Sequence, residues 1–493
     1  MRMRLIAGLV AGLSLTGCAA VGPDFNAPAA PGVATYNQQP ASKTAAAPDV
    51  ALGGAQQFVA GQAVPSAWWQ SFHSDKLNTL VEQALSASPS LAAAQATLRQ
   101  AQQTYAAQAG STRYPVVSAK LGAQKQKTNN SGIGMAGGER IYELYNAGVN
   151  VTYNLDLFGG NKRSLEAYAA QADYQQYQLQ GARLTLAANV VVTAMSQAQY
   201  DAQIKATEAI IAAQQQQLDI AHQRYELGAI TQSDLLSLQT VVAQTRATLP
   251  ALHTRLAQTR TLLATLIGTT PAEAQLPQFT LADFSLPTEL PVVIPSELVR
   301  QRPDIQASEA LFHAASAQYG VAIASAYPQI NLSANLGSQA LAASSLFGAG
   351  SIVWGLASQL VQPLFNGGLK AGIKSSEASF DAAAANYRVT VLQAFRNVAD
   401  VLQLLESDAQ TLQAQASANQ SAQAALRLVE QQFKLGSVSY LQLLTAQQQA
   451  QQTQIALATA QAQRLIDTAA LYQAMGGGWK NDVSTEQPNL SAK

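Results

Sequence analysis

"RYELGAITQSDLL", residues 224–236, returns 208 positions later as "QFKLGSVSYLQLL", residues 432–444. Both stretches carry an aromatic residue, a charge, Leu-Gly, a β-branched residue and a pair of leucines, and both lie between long Ala/Gln-rich runs. Upstream of the first copy the helical pattern runs without proline from about Leu165 to Glu226; downstream it resumes from about Ser233 to Ile267. At roughly 1.5 Å per residue the longer run is a rod of about 93 Å, too long for a helix of an ordinary globule. The second copy is flanked in the same way, by proline-free sequence from about Leu369 to Phe433 and by a run from about Tyr440 to Met475. In the former, Phe380, Tyr387, Val391, Phe395, Val398, Leu402, Leu405 and Leu412 form a seam close to coiled-coil spacing.

Outward from the helices the period changes to two. Val117, Ala119, Leu121 and Ala123 alternate with polar or small residues, as do Val149, Val151, Tyr153, Leu155 and Leu157, which predicts strands over about 115–126 and 147–158. Between them "TNNSGIGMAGGERIYEL" reads as a long loop. In the second half Ile330, Leu332, Ala334 and Leu336, then Ile352, Trp354, Leu356 and Leu360, predict strands over about 328–337 and 351–362. Each pair of strands follows a helix: one from Leu77 to about Ala109, interrupted at Ser88-Pro89, and one over about 296–325. Helix, two strands, long helix, turn and helix therefore occur twice, the mark of a tandem duplication.

The start, "MRMRLIAGLVAGLSLTGCAA", has the basic, apolar and small-residue regions of an export signal. Leu15-Thr16-Gly17-Cys18 matches a lipobox, so Cys18, the only cysteine, is expected to carry a diacylglycerol and an acyl chain. The domain reading is 1–17 signal peptide, 18–66 lipid anchor and extended Pro/Ala-rich arm, 67–268 first repeat, 269–295 linker, 296–478 second repeat and 479–493 tail. Charged residues make up only 12% of the chain and balance to zero, which argues against nucleic acid as a partner. No run of some 18 apolar residues predicts a spanning helix in the mature chain. His73, His222, His253 and His313 lack ligand spacing, and no phosphate loop or hydrolase pattern is present, so the reading is a non-enzyme without metal or cofactor beyond the lipid.

Four amphipathic strands cannot close a barrel, whose smallest membrane examples have about eight. An open edge in lipid would leave backbone groups unpaired, so strands must come from further copies. Two chains would give a lumen filled by side chains; three give twelve strands and a pore, lined by Asn150, Asn154, Asp156, Asn331 and Asn335. The shorter helices match the long ones if the 77–109 helix stacks on the 233–267 helix and the 296–325 helix on the 440–475 helix. Each half is then a stave of a tube, two helices wide, with a Leu-Gly turn at its free end.

The chain resembles the TolC-type outer-membrane efflux channels, in the lipoprotein branch of the OprM or NodT kind. The residues that carry the resemblance are "LTGCAAVGPDF", "WWQSFHSDKLNTLVEQAL", "RPDIQASEA", the paired "LFGG" and "LFNGG", both Leu-Gly turns and "AMGGGW". It implies a mixed α+β membrane protein: a homotrimer with a twelve-stranded transmembrane β-barrel, four strands per chain, continued by a periplasmic α-helical barrel. It also implies an outer-membrane location in a Gram-negative bacterium. The expected partners are two further copies, outer-membrane lipid, a periplasmic adaptor (membrane fusion) protein and a proton-driven RND-type pump. Docking falls on the turns at Leu227, Gly228, Leu435 and Gly436. The expected function is efflux of drugs or other small toxic compounds; a type I protein-secretion duct is the alternative. Family members resemble one another in carrying acids six and nine positions past the second glycine, where this chain has Gln442 and Thr445. Asp234, six beyond Gly228, keeps a carboxylate. Closure is therefore expected to rest on Asp234, paired with Arg224 or Lys434, and on Gln442, with capping of the helix start as the other reading of Asp234.

Overall fold

The computed structural model describes residues 20–129 and 139–479. Its elements run in the order β1 (Gln57–Ala60), α1 (Asp75–Ala87), α2 (Pro89–Arg113), β2 (Val116–Asn129), β3 (Glu139–Leu155), α3 (Gly160–Glu226), α4 (Gln232–Leu266), β4 (Glu289–Val292), α5 (Pro295–Gln301), α6 (Pro303–Ala324), β5 (Gln329–Ala340), β6 (Ile352–Val361), α7 (Gly367–Lys434) and α8 (Tyr440–Ala474). Among the described residues the chain gathers into two compact units. One is drawn from the segments up to Pro28, Thr97–Gln176 and Ala307–Tyr387; the other from Ala29–Ala96, Tyr177–Gln306 and Arg388 onward.

The first unit holds an antiparallel sheet in the order β2-β3-β5-β6, so β2 and β6 each pair on one side only. Register joins like to like: Ala119, Val149, Leu336 and Trp354 form one row across all four strands, and Ser118, Asn150, Asn335 and Gly355 the next. Because a slip of one residue would reverse every face, this matching of rows is what specifies the pairing. β2 and β3 extend beyond the expected 115–126 and 147–158. Residues 139–144, expected in a loop, pair with residues 124–129. Charge rather than apolar alternation carries the extension: Lys125 Nζ lies 3.1 Å from Glu143 Oε1 and Lys127 Nζ 2.6 Å from Glu139 Oε2. The same unit anchors residues 21–25. Val21 N–H donates to the Phe158 carbonyl at 3.0 Å, buried Arg163 donates to the carbonyls of Val21 and Gly22 and to Asp24 Oδ1 at 2.6 Å, and Phe25 stacks on His313.

In the second unit α1 buries Leu77, Leu80, Val81 and Ala84, the face its spacing predicts. Trp68 and Phe72, on a single 3-10 turn, pack on Tyr472. The helix expected over 296–325 is two helices, because Pro303 excludes Arg302 from helical backbone and leaves it extended (φ −75°, ψ 125°). In both halves the end of the shorter helix meets the break inside the helix expected to stack on it, not that helix's own end. Gly268 (φ +77°), past the end of α4, abuts Ala87 and Pro89; Gly476 (φ +88°), past the end of α8, abuts Gln301 and Arg302. A Cβ at Gly268 would come within 2.5 Å of the Ala87 carbonyl oxygen, so the left-handed helix end and the tight junction both require glycine there. Arg302 completes the second junction by donating to the Ala474 carbonyl at 3.0 Å while gripping Asp304 with two nitrogens. The arm and linker hold an unforeseen element: β1 and β4 pair in parallel, Gln57 with Glu289 through Ala60 with Val292.

Candidate functional site

Two features of this chain are suited to conduction: the faces of the sheet and the ends of the helix pairs. On the sheet, the apolar row residues are open to the outside of the chain, Trp354 at 77% and Leu336 at 62% exposure, together with Val117, Leu121, Leu356 and Leu360. A continuous apolar face of this size costs about 25 cal/mol per Å² in water, and is covered in a stable protein by lipid or by another chain. Asn150, Asn154, Asn331 and Asn335 sit on the opposite rows, in register with one another as Asn150–Asn335 and Asn154–Asn331. Asp156 lies just past β3, where its Oδ2 accepts from Lys162 N–H at 2.8 Å. No helix among the described residues is long and apolar enough to cross a membrane.

The two turns are built alike. Gly228 and Gly436 both have φ +73° with nothing within 4 Å of a notional Cβ. At the first, Gly228 N–H donates to Tyr225 O at 2.9 Å and Ala229 N–H to Arg224 O at 2.8 Å. At the second, Gly436 N–H donates to Phe433 O and Ser437 N–H to Gln432 O, each at 3.0 Å. These are the paired bonds by which a left-handed residue closes a helix C-terminus. The following helix then opens in each case on a reciprocal cap, Thr231 with Asp234 and Ser439 with Gln442. Leu227 and Leu435, each 83% exposed, project from the turns.

The expected pairing of Asp234 with Arg224 or Lys434 is absent from this arrangement. Asp234 Oδ2 accepts from the Thr231 backbone N–H at 3.1 Å and from its hydroxyl at 2.7 Å, and these bonds hold the carboxyl below its ordinary range. Capping satisfies donors that the helix start leaves open, and it takes up the carboxylate locally. Gln442 Oε1 accepts from Ser439 N–H at 3.0 Å, and Thr445 donates to Leu441 O at 2.9 Å. Arg224 instead lies over the Phe433 ring, 4.9 Å from its centroid, and so joins the end of α3 to the end of α7. Phe433 meets Tyr440 edge-on, and Tyr440 packs on the α3–α4 core of Leu218, Ala221, Leu235, Leu238 and Val242. Burial first, and Asp234 second, push the Tyr440 hydroxyl well above the ordinary tyrosine range. Lys434 lines a cavity of about 270 Å³ with Arg224, Glu430, Phe433 and Tyr440. This aromatic contact between the helix pairs had no signal in the sequence, since Arg224 and Phe433 are 209 positions apart. Cys18 lies outside the described residues. Of the histidines, His313 is half-buried beside Glu166, 2.8 Å away.

The comparisons with known proteins place these features in a family. The family model described as "Outer membrane efflux protein" matches residues 80–269 and 294–477, once in each half of the chain. The chain is similar to the antibiotic efflux pump outer membrane protein ArpC of Pseudomonas putida, 31% identical over 501 residues, covering 100% of this chain and 99% of that one. It is also 31% identical over 430 residues to the pyoverdine export outer membrane protein OpmQ of Pseudomonas putida, covering 86% and 91%. Among solved structures, that of the outer-membrane channel OprN superposes with a TM-score of 0.84 at 28% identity, covering 93% of this chain and 99% of that one. The chain belongs to the outer membrane efflux protein family.

Proposed function

We propose that this member of the outer membrane efflux protein family is the outer-membrane conduit of a tripartite pump, passively conducting small toxic compounds out of a Gram-negative cell. The observation that carries the reading is the sheet: four strands with two unpaired outer edges, one apolar face and one polar face. Unpaired edges in lipid cost several kcal/mol per backbone group, and a four-stranded sheet cannot close on itself. Three copies supply twelve strands, put the apolar face against lipid and leave the asparagine rows around water. On this reading the chain is a homotrimer whose tandem halves each give two strands and a helical hairpin. The helices wall a periplasmic tunnel, and Cys18 bears a diacylglycerol and an acyl chain as a second anchor. Leu227, Gly228, Leu435 and Gly436 meet a periplasmic adaptor fed by an RND-type inner-membrane pump. Relatives named for antibiotic efflux and pyoverdine export support export of small molecules over protein secretion.

At the turns, closure is assigned to the Arg224–Phe433 contact and the neighbouring Lys434, with Asp234, Gln442 and Thr445 holding the helix starts on which that contact depends. The test is deletion of the gene followed by a panel of toxic-compound susceptibilities, repeated with each candidate pump gene removed. Sensitisation that is not increased by loss of one particular pump supports the conduit. Unchanged susceptibility together with loss of a secreted protein overturns it in favour of a secretion duct.

A further inference from the structure

The loop of residues 44–56 closes on itself: Thr44 N–H donates to Gln56 O, Gln56 N–H donates to Thr44 Oγ1, and Ala47 N–H donates to Gly53 O, at 2.9, 2.9 and 2.7 Å. It lies over the seam between α7 and α8, with Ala47 and Val50 packed on Leu412, Leu457 and Ala460. Arg464 of α8, 1% exposed, holds it from beneath. Its Nη1 donates to the carbonyls of Leu52 and Gly54, both at 3.0 Å, and its Nη2 to Gln56 Oε1 at 3.0 Å and Thr44 Oγ1 at 3.2 Å. One further bond from α8, Gln461 Nε2 to Ala51 O, and one to α8, Gln56 Nε2 to Thr468 Oγ1, complete the attachment.

Asp408, one turn before Leu412 on α7, has Asp467 of α8 as its neighbouring carboxyl group and Arg464 as its neighbouring cation. Asp467 is 7% exposed and accepts from Gln463 Nε2 at 2.9 Å. Asp408 Oδ2 is buried with no donor, and Arg464 Nε is buried with no acceptor. A buried carboxylate oxygen that meets no N–H and has a second carboxyl group as its neighbour is satisfied by a proton, because neighbouring like charges in a weakly polarisable interior disfavour one another. Desolvation, with the hydrogen bond and charge of Asp467, pushes the Asp408 carboxyl up to about 8, against the opposing pull of Arg464. The other ionisable groups on the loop and its immediate approach, Lys43 and Asp49, are exposed, and Glu406 of α7 lines a separate cavity under residues 34–42. Arg464 is therefore the cation that answers a second negative charge at the pair.

We propose that Asp408 and Asp467 hold one proton in common and that its release to water frees the 44–56 loop from the α7–α8 seam, making the loop a proton-operated strap. With the proton bound, the pair carries one charge and Arg464 spends its four Nη contacts on the loop. With the proton gone, two charges repel α7 from α8 and draw the guanidinium toward themselves, away from the loop's carbonyls. The direction follows from linkage. The strapped state binds one more proton than the open state between the ordinary aspartate range and about pH 8, so opening increases as pH rises through that window and levels off above it.

Hydrogen exchange of residues 43–57 in the full-length, detergent-solubilised protein measures this once intrinsic exchange rates are divided out. The opening equilibrium should rise by up to about tenfold per pH unit between pH 5 and pH 8. Asp408→Asn supplies a permanent amide donor to Asp467 and should abolish that slope while keeping the loop protected at pH 8; Asp467→Asn is the second variant should the first fail to fold. A flat profile in the native chain, or an undiminished slope in both variants, overturns the proposal.

Discussion

The two Leu-Gly turns share a backbone and differ in chemistry. Gly228 and Gly436 have the same φ, the same pair of closing hydrogen bonds and the same reciprocal cap three residues later. The cap is a carboxylate at the first, Asp234, and an amide at the second, Gln442, and the residue before Leu-Gly is Glu226 at one and Lys434 at the other. What the fold requires is a left-handed residue and an oxygen acceptor at the start of the next helix. Glycine alone meets the first requirement without strain, whereas aspartate and glutamine both meet the second. The turn can therefore keep its shape while its charge changes.

The largest effect should come from removing what the turns have in common. Gly228→Val and Gly436→Val each force a β-branched residue into left-handed backbone, at about 1–2 kcal/mol or more, with no steric clash to enlarge it because the space around both is empty. Local hydrogen exchange at the ends of α3 and α7 should rise equally in the two variants; a cost confined to one turn would break the equivalence. Next come the caps. Thr231→Ala and Ser439→Ala should each cost about 0.5–2 kcal/mol, with the first the larger because it also strips the hydroxyl donor from a carboxylate while leaving the backbone N–H. Arg224→Ala should cost about 0.5–1 kcal/mol through the lost contact with Phe433, and a double-mutant cycle with Phe433→Leu would isolate that coupling.

The smallest effect separates the turns by pH. The Asp234 carboxyl is held below its ordinary value by the donors of Thr231, so its contribution is present above about pH 4 and is lost as pH falls through the lowered value. The start of α4 should fray in acid while the start of α8 does not, and Asp234→Asn should remove the difference. Equal fraying at both helix starts would show that the carboxylate is not what distinguishes them.

Much of this architecture is written in period and punctuation. Alternation from Val117 to Ala123 and from Ile330 to Leu336 locates strands, since a sheet with one apolar face repeats every two residues. Ser88-Pro89 locates a helix junction because proline constrains its predecessor. The unread parts depend on distant partners or on charge. Residues 139–144 carry glutamates and an arginine that read as loop until Lys125 and Lys127 stand opposite them. Gln57–Ala60 is a strand only because Glu289–Val292 lies beside it. Asp234 suits a cap and an ion pair equally well by residue type, and geometry decides between them. Arg464, Asp467 and Asp408, charges set into helices otherwise rich in alanine and glutamine, gave no periodic signal, because so few charges leave the pattern of a long helix intact.

The account rests on a sheet that closes only by borrowing strands from other copies, and the mass of the protein extracted intact from membranes tests this most directly. A native mass spectrum in mild detergent should show a single species of about three chains, the smallest number that leaves an open lumen. A stable single chain, still embedded in lipid with β2 and β6 unpaired, would contradict it.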